Sequence, residues 1–469
     1  MLSQKLLDQV EKIYAQLNID GQLLSLRAVG IRKTQSLLGG SHSVVTYPPL
    51  DALRALSAED IFPNNAKTQN INLYIHIPFC ETLCTFCHYV TGLYSGAKDT
   101  PDNQQAVTRY IDLLCRELRM YSTALQHPTI DSLYIGGGTP CILSTSQLEH
   151  ILNEARSAFS FTDETEVCVE GSPKTIMAAD GEHKLATLAS LGVTRLSFGI
   201  QSFDAEVLRL AGRAYAPDVA LGACKRTARF FGNYNIDLIQ NLYHGSHNEI
   251  LLNLECIAQC LPPHVTWYNA RFSEKRPQGI WMKNKKMAVN FASEENIIFG
   301  RLLIWEGMKQ LGYKQYDGNR FVRDTGTEDP FKKIRTSVTR TLIGCGVSAY
   351  SHNESHFYRN TISTKEYSEH ILNGKFPITH GMTLTQDEKL AASYVVGLRT
   401  AYAPKIIQGT TLDSIYKQKI EHCVKLGLIE KNAQNRWALT TLGRLFEDET
   451  LLYFYSPQVS ERLHTKTMV

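Results

Sequence analysis

The chain has 469 residues, of which 43% are hydrophobic, and its 49 basic and 46 acidic residues leave a net charge of +3. Such a length can bury a large core and predicts two domains, whereas so small a charge gives no reason to expect a nucleic-acid partner. The 11 cysteines are an odd number without disulfide-framework spacing, which predicts a reducing, cytoplasmic location. No segment has the length of a membrane span or the pattern of a signal peptide, so we expect no membrane partner.

The first predicted element is an amphipathic helix, in which apolar residues between Leu6 and Leu17 recur at helical spacing. A polar, glycine-containing stretch follows, and it ends in the turn Thr46-Tyr47-Pro48-Pro49. Two explanations fit this turn equally well: it belongs to a segment that covers the rest of the fold, or it is an ordinary proline turn. We predict that residues 1–70 form an N-terminal helical cover segment.

From residue 71 onward the pattern alternates between strands and helices. Strands are predicted at residues 71–77, 131–138, 166–172, 194–200, 234–240 and 264–270, and amphipathic helices near residues 104–124, 145–159, 182–191, 216–230 and 246–261. This alternation predicts a parallel sheet with right-handed crossovers. Ligand sites in such sheets lie at the carboxyl ends of the strands.

The strongest chemical signal is YIHIPFCETLCTFCHY, residues 74–89, which places Cys80, Cys84 and Cys87 in a C-x3-C-x2-C spacing directly after a strand. Three thiolates can hold three irons of a [4Fe-4S] cluster and leave the fourth iron open. S-adenosylmethionine (SAM) can chelate that iron, and its reductive cleavage gives a 5'-deoxyadenosyl radical. The alternatives are three free structural cysteines or a zinc site, which more often has two C-x2-C pairs.

These residues resemble the radical SAM superfamily. The HIPFC, LC and FC segments are more narrowly similar to the group containing oxygen-independent coproporphyrinogen III dehydrogenase, related haem chaperones, and class C radical SAM methyltransferases and cyclopropanases. The resemblance covers roughly residues 45–460. It implies an α/β fold with a partial (β/α)6 barrel over residues 71–350, a linker over 351–380 and a winged-helix-like α+β domain over 381–469. That last domain has no concentrated basic face, so we expect it to cap the barrel rather than bind DNA.

The resemblance also implies a SAM site at the strand ends. The GGGTP segment matches a cofactor-binding motif, in which glycines allow close approach and their amides can bind a carboxylate or ribose. Glu170 ends the third strand, and Gly344–Tyr350 resembles a strand that closes the pocket. The predicted contacts of the cluster-bound SAM are Tyr74, Phe86, Gly137, Gly138, Thr139, Glu170 and Tyr350. Cys345 is predicted to be a core residue rather than a fourth ligand.

Three further polar residues match positions that relatives use to hold a second SAM. They are Gln201 at the end of the fourth strand, Arg213 on the helix that follows and Asp237 on the fifth strand. Each alone would be read as a structural polar group, but together with the cluster motif they predict two SAM molecules.

The chain departs from the coproporphyrinogen enzyme after Cys87, where His88 and Tyr89 replace a glycine and a cysteine. An imidazole and a phenol can transfer protons, so both are predicted to be catalytic; the alternative is that His88 only orients the cluster loop. Arg271 and the segment 238–245 also depart, at positions where a substrate or second SAM would lie. We therefore predict C1 transfer, methylation or cyclopropanation, from the second SAM to an sp2 carbon of a small-molecule substrate.

An electron donor such as flavodoxin or ferredoxin is expected to reduce the cluster. Two alternatives to C1 transfer stay open. One is coproporphyrinogen III dehydrogenation, with loss of carbon dioxide from propionate groups. The other is a haem chaperone that keeps the fold without turnover.

Overall fold

The computed structural model describes residues 2–33, 46–61, 70–87, 89, 92–93, 101–213, 215–243, 246–271, 292–323, 340–400 and 413–467. Its strands are β1 (Arg54–Ala55), β2 (Asn70–Ile77), β3 (Phe79–Cys80), β4 (Gly92–Leu93), β5 (Thr129–Gly137), β6 (Glu166–Gly171), β7 (Arg195–Gln201), β8 (Tyr234–Gln240), β9 (His264–Asn269), β10 (Tyr313–Gln315), β11 (Arg320–Arg323), β12 (Thr341–Cys345), β13 (Tyr350–His352), β14 (His356–Asn360), β15 (Ile378–Thr383), β16 (Ile429–Lys431) and β17 (Trp437–Leu439).

The helices begin with α1 at the N-terminus and end with α16. They are α1 (Leu2–Gln16), α2 (Ile19–Ala28), α3 (Pro101–Ala124), α4 (Thr145–Ala158), α5 (Pro173–Met177), α6 (Gly181–Ser190), α7 (Ala205–Leu210), α8 (Pro217–Ala228), α9 (His247–Cys260), α10 (Glu294–Gln310), α11 (Thr364–Leu372), α12 (Gln386–Thr400), α13 (Asp413–Lys425), α14 (Thr441–Leu445), α15 (Glu447–Leu452) and α16 (Pro457–Thr467). Among the described residues, no helix is both long and apolar enough to cross a membrane.

Six parallel strands form the centre of the fold, in the order β2, β5, β6, β7, β8, β9. Each corresponds to a strand predicted from the sequence, and helices connect successive strands. Consecutive residues of β2 and β7 are almost all buried, as expected for parallel strands that are covered on both faces. The predicted α/β fold with its six-stranded partial barrel is confirmed.

The sheet continues beyond both edges of the six strands. β12 pairs in parallel with β2, and β13, β14, β15 and β1 follow in antiparallel pairs, while β11 and β10 extend the β9 side. Residues 351–380, predicted to be a linker, therefore contain β14 and α11. The division of the chain into domains remains a prediction.

The glycine-rich segment 342–352 differs from the single strand expected. Gly346 has φ of 103° and Ser348 has φ of 61°, so the chain reverses between β12 and β13. Leu342 pairs with His352 across the resulting antiparallel pair. The reversal brings Tyr350 over β2, and thus into the region of the predicted cofactor site.

The C-terminal region has the predicted order of helix, helix, hairpin and helix. α12 and α13 precede the hairpin β16–β17, in which Ile429 pairs with Leu439, and α14 follows. The N-terminal turn contacts this region, because the Tyr47 hydroxyl donates a hydrogen bond to Glu388 at 2.5 Å and the Ser456 hydroxyl donates to the same carboxylate at 2.6 Å. Distant parts of the chain thus meet beside the barrel.

Candidate active site

The predicted cluster loop begins at Cys80, the last residue of β3, and turns through Cys84 and Cys87. The Cys87 amide donates to the Cys84 carbonyl at 3.2 Å, and all three cysteines are half-buried. Two hydrogen bonds from Thr85 anchor the loop. The Thr85 amide donates to the Ala211 carbonyl at 3.2 Å, and its hydroxyl donates to the Leu210 carbonyl at 3.2 Å. The thiols are therefore presented on a turn that is anchored to the segment after β7.

The GGGTP segment packs directly under Cys80. The amides of Gly138 and Thr139 donate to the carbonyls of Ile77 and Phe79, both at 2.8 Å, and the Thr139 hydroxyl lies 3.9 Å from the Cys80 sulfur. A Cβ on Gly138 would overlap the Phe79 carbonyl oxygen and would come within 2.9 Å of the sulfur. These amide hydrogen bonds extend the strand pairing and fix the cysteine loop, and the contacts of Gly137, Gly138 and Thr139 with SAM remain a prediction.

The donor set fits an iron–sulfur cluster. Within the described residues, no three His, Cys, Asp or Glu side chains converge on one metal ion. A cubane does not require such convergence, because each thiolate binds a different iron. Burial raises the pKa of Cys80 to about 11, and metal binding is what deprotonates such a thiol. Cys345 is fully buried in β12, as expected for a core residue.

Tyr74, Glu170 and Tyr350 lie together on the inner face of the barrel. The Tyr74 ring stacks with the rings of Tyr134 and Tyr350, at centroid distances of 6.2 and 6.5 Å. One Glu170 oxygen accepts from the Tyr134 hydroxyl and the other from the Gly137 amide at 3.1 Å. The predicted contacts of the cluster-bound SAM on β2, β5 and β6 thus lie on one wall of the barrel interior. This wall extends to Tyr350 on β13.

Gln201, Arg213 and Asp237 surround Gly199 on β7. A Cβ at Gly199 would overlap the Gln201 amide nitrogen and would lie 3.3 Å from an Arg213 guanidinium nitrogen. Asp237 is the register partner of Gly199 on β8, and burial raises the pKa of its carboxyl group. The structure brings this predicted trio together around Gly199, where an added side chain would have to displace the end of Gln201.

Arg213 also connects this trio to the cluster loop. Its guanidinium lies 5.8 Å from the centre of the Phe86 ring, and its buried Nε has no hydrogen-bond partner among the residues described. His88 lies outside the described residues. Tyr89 is 58% exposed, so its phenol faces the surface at the mouth of the loop.

A cavity of about 430 Å³ lies where the open barrel meets the C-terminal helices. Tyr268, Leu342, Tyr350 and Phe357 give it an aromatic and apolar wall. Its basic lining residues are Lys33, Arg271, Arg301, Arg320, Lys389, Arg399 and Arg444, and its acidic ones are Asp317, Glu354, Glu447 and Asp448.

Arg271 lines this cavity but is already paired. Its guanidinium lies 2.6 Å from an Asp448 oxygen and 3.5 Å from a Glu449 oxygen. It therefore joins the end of β9 to α15 and is not an unpaired cation waiting for a substrate. Sequence reasoning missed Lys389, Arg444 and Glu447, because no local pattern marks residues that meet the barrel across more than 100 positions of chain.

Comparison with known protein families identifies the superfamily to which the central domain is similar. Residues 74–247 match the Radical SAM superfamily, and this region contains the cysteine loop, the GGGTP segment and the Gly199 trio. The chain therefore carries a radical SAM domain.

Individual similar proteins indicate which radical SAM proteins this chain resembles. The chain is 26% identical over 397 residues to the heme chaperone HemW of Buchnera aphidicola subsp. Schizaphis graminum, covering 83% of this chain and 99% of that protein. It is 25% identical over 344 residues to the oxygen-independent coproporphyrinogen III oxidase of Salmonella typhimurium, covering 70% and 71%. The solved structure of coproporphyrinogen III oxidase (HemN) from Escherichia coli matches with a TM-score of 0.75 at 21% identity, over 87% of this chain and 96% of that one. The chain thus carries a radical SAM domain and is similar to HemW and HemN, as the sequence motifs indicated.

The prediction of C1 transfer is wrong. The relatives that align over most of the chain are haem chaperones and coproporphyrinogen oxidases. One of its premises also fails, since the unusual Arg271 is engaged by Asp448 and Glu449.

Proposed function

We propose that this protein is a haem chaperone that keeps a radical SAM centre and holds a carboxylated tetrapyrrole in the cavity between barrel and C-terminal helices. The observation that carries the proposal is the cavity lining, which combines an aromatic and apolar wall with two cations, Lys389 and Arg444, that have no carboxylate partner within the described part of the chain. A tetrapyrrole presents an aromatic face and propionate groups, which such a lining suits. In the sequence comparison the chaperone alignment covers 83% of the chain and the coproporphyrinogen oxidase alignment covers 70%, which supports this choice.

In this proposal the chain's own residues do three things. Cys80, Cys84 and Cys87 would hold the [4Fe-4S] cluster, which when bound supplies the electron that cleaves SAM. Thr139 and the Gly138 amide keep the Cys80 turn in place. Tyr350 lines the cavity and stacks on Tyr74, so it connects the cofactor region to the cavity.

Lys389 and Arg444 would bind propionates by charge-assisted hydrogen bonds. Lys389 is half-buried on α12, and Arg444 projects from α14. Flavodoxin or ferredoxin is proposed as the source of electrons for the cluster.

Anaerobic haem titration of the reconstituted full-length protein tests the main proposal. Lys389→Gln/Arg444→Gln should weaken haem binding by about tenfold to a hundredfold, as expected for losing two charge-assisted contacts. Lys365→Gln is the matched control, because Lys365 is 87% exposed on α11. Unchanged haem affinity in the double variant would contradict the cavity assignment.

Coproporphyrinogen III dehydrogenation is the second candidate, and the Gly199 trio favours it. Gln201, Arg213 and Asp237 form a compact polar set next to the cluster loop, as a second SAM would require. The discriminating assay supplies reduced protein with coproporphyrinogen and SAM under argon. Formation of protoporphyrinogen, lost in Gln201→Ala with cluster content retained, would establish the dehydrogenase, and haem transfer without SAM cleavage would establish the chaperone.

A further inference from the structure

One part of the cavity lining has unmet hydrogen-bonding capacity. It is formed by Gln240 at the end of β8, Asn269 at the end of β9 and Glu447 at the start of α15, which we call the amide subsite. Gln240 and Asn269 are register partners on neighbouring strands. Gln240 is 2% exposed and Glu447 is 9% exposed. Buried polar atoms without partners are costly, so three of them around one cavity point to a ligand.

The hydrogen bonds of the two amides fix which atom of each is unpartnered. The Gln240 amide nitrogen donates to the Ile297 carbonyl at 3.0 Å, which leaves Oε1 buried and unpartnered among the described residues. The side-chain carbonyl oxygen of Asn269 accepts from the Asn241 side-chain amide at 3.2 Å. This leaves Asn269 Nδ2 buried and without a partner among the described residues. The paired strand ends therefore offer one acceptor and one donor.

Glu447 adds a second acceptor. One of its oxygens accepts from Arg399 Nε at 2.8 Å, and the other, Oε2, is buried without a partner in the regions described. A Cβ at Gly318 would lie 2.5 Å from Oε2. The absence of a side chain at Gly318 leaves room for this carboxylate at the cavity wall.

We propose that the amide subsite binds a primary carboxamide. Its NH2 group would donate to Gln240 Oε1 and Glu447 Oε2, and its carbonyl oxygen would accept from Asn269 Nδ2. A carboxylate of the same shape has no hydrogen to donate to the two acceptors, and it is rejected. The inference rests on the proposed function, because it takes this cavity as the binding site. It adds that the bound molecule carries an uncharged amide group in addition to the carboxylate that faces Lys389 and Arg444.

Nicotinamide and nicotinate are suitable probes because they differ only in carboxamide against carboxylate. Each is titrated into anaerobically reconstituted full-length protein by saturation-transfer NMR, in the Lys389→Gln/Arg444→Gln background so that those cations do not attract nicotinate. Nicotinamide should bind at least about tenfold more tightly. Equal affinities, or tighter binding of nicotinate, would overturn the proposal.

Glu447→Gln tests the polarity of the subsite. With its carbonyl still accepting from Arg399, the new side chain places an NH2 group where Oε2 lies. The preference for nicotinamide should then fall about tenfold, which a merely structural role does not predict. Glu354→Gln, the same change at an exposed part of the cavity lining, should leave the preference unchanged.

Asn269→Asp gives an independent measurement, since it replaces the donor by an acceptor and should weaken nicotinamide binding about tenfold. Iron content verifies that each variant is folded. An unchanged preference in both variants would overturn the assignment. Haem titration of the protein with Lys389 and Arg444 intact separates the two proposals: haem binding there without an amide preference in the double-variant background removes only the subsite, whereas amide preference without haem binding by the intact protein removes only the chaperone function.

Discussion

The guanidinium of Arg213 lies 5.8 Å above the Phe86 ring, and this contact joins the polar trio around Gly199 to the turn that carries Cys84 and Cys87. Two regions of sequence more than 100 residues apart thus form one surface. A cation over an aromatic face contributes about 0.5–2 kcal/mol, and the unpartnered Nε of Arg213 leaves a donor for an anionic ligand group.

Arg213→Met is expected to keep the cluster and weaken SAM binding by about tenfold to a hundredfold, the effect of losing a charged hydrogen bond of about 1.5–3 kcal/mol. Equilibrium SAM binding and iron content are measured on the same sample. Arg209→Met is the control, since Arg209 is 68% exposed and pairs with Glu206 on α7. Loss of iron in Arg213→Met would mean that Arg213 only supports the loop.

Gly138→Ala is expected to reduce cluster incorporation by more than half. The added Cβ would overlap the Phe79 carbonyl oxygen and would come too close to the Cys80 sulfur. Phe79 and Cys80 belong to the turn that carries the first predicted cluster ligand. Relief by backbone movement costs about 1–3 kcal/mol. Iron and sulfide analysis after anaerobic reconstitution provides the measurement. Gly232→Ala should reconstitute normally, because a Cβ there meets nothing within 4 Å.

Glu117 is predicted to make stability depend on pH. It is fully buried on α3 and accepts from the Gly346 amide at 2.7 Å, from Asn360 at 2.7 Å and from the Tyr367 hydroxyl at 2.6 Å. Burial nevertheless raises the pKa of its carboxyl group from 4.5 to about 7. A folded-state pKa above the unfolded value means that its contribution is full below pH 4.5 and is lost as pH rises to about 7, a change on the order of 3 kcal/mol.

The measurement compares urea unfolding of the wild type and Glu117→Gln at pH 5.5, 6.5 and 7.5 under argon. The wild type should lose stability relative to the variant as pH rises. The comparison isolates Glu117, because Glu249, whose pKa burial also raises to about 7, is present in both proteins. Parallel pH profiles would show that Glu117 does not titrate in this range.

The six barrel strands were predictable because each is a short apolar run between helical periods, and local pattern determines such elements. The cysteine loop and the Gly199 trio were predictable as residues, since motif spacing fixes which strand ends they follow. The reversal at Gly346 was not, because a glycine-rich strand and two strands joined by a turn have the same composition.

The cavity was beyond sequence reasoning for a different reason. Arg271 had no visible partner in the sequence, and its pairing with Asp448 depends on how the C-terminal helices dock against the barrel. The same docking positions Lys389 and Arg444. Side chains whose partners lie in another region of the fold carry no local periodicity. Arg271 was one of the departures from which C1 transfer was inferred, and its unseen pairing contributed to the wrong reaction.

The cluster assignment itself is tested by comparing Cys84→Ser with Cys345→Ser. A serine hydroxyl is a poor ligand for iron in this setting, so loss of one of three thiolates should remove the [4Fe-4S] absorption and most of the iron. Cys345 is fully buried in β12, where it is the register partner of Ile75 on β2, so its replacement should preserve the cluster and cost at most about 1–3 kcal/mol of stability through a buried hydroxyl. Iron, sulfide and visible absorption are recorded after identical anaerobic reconstitution. A full iron–sulfur complement in Cys84→Ser, or its loss only in Cys345→Ser, would remove the C-x3-C-x2-C motif as the ligand set.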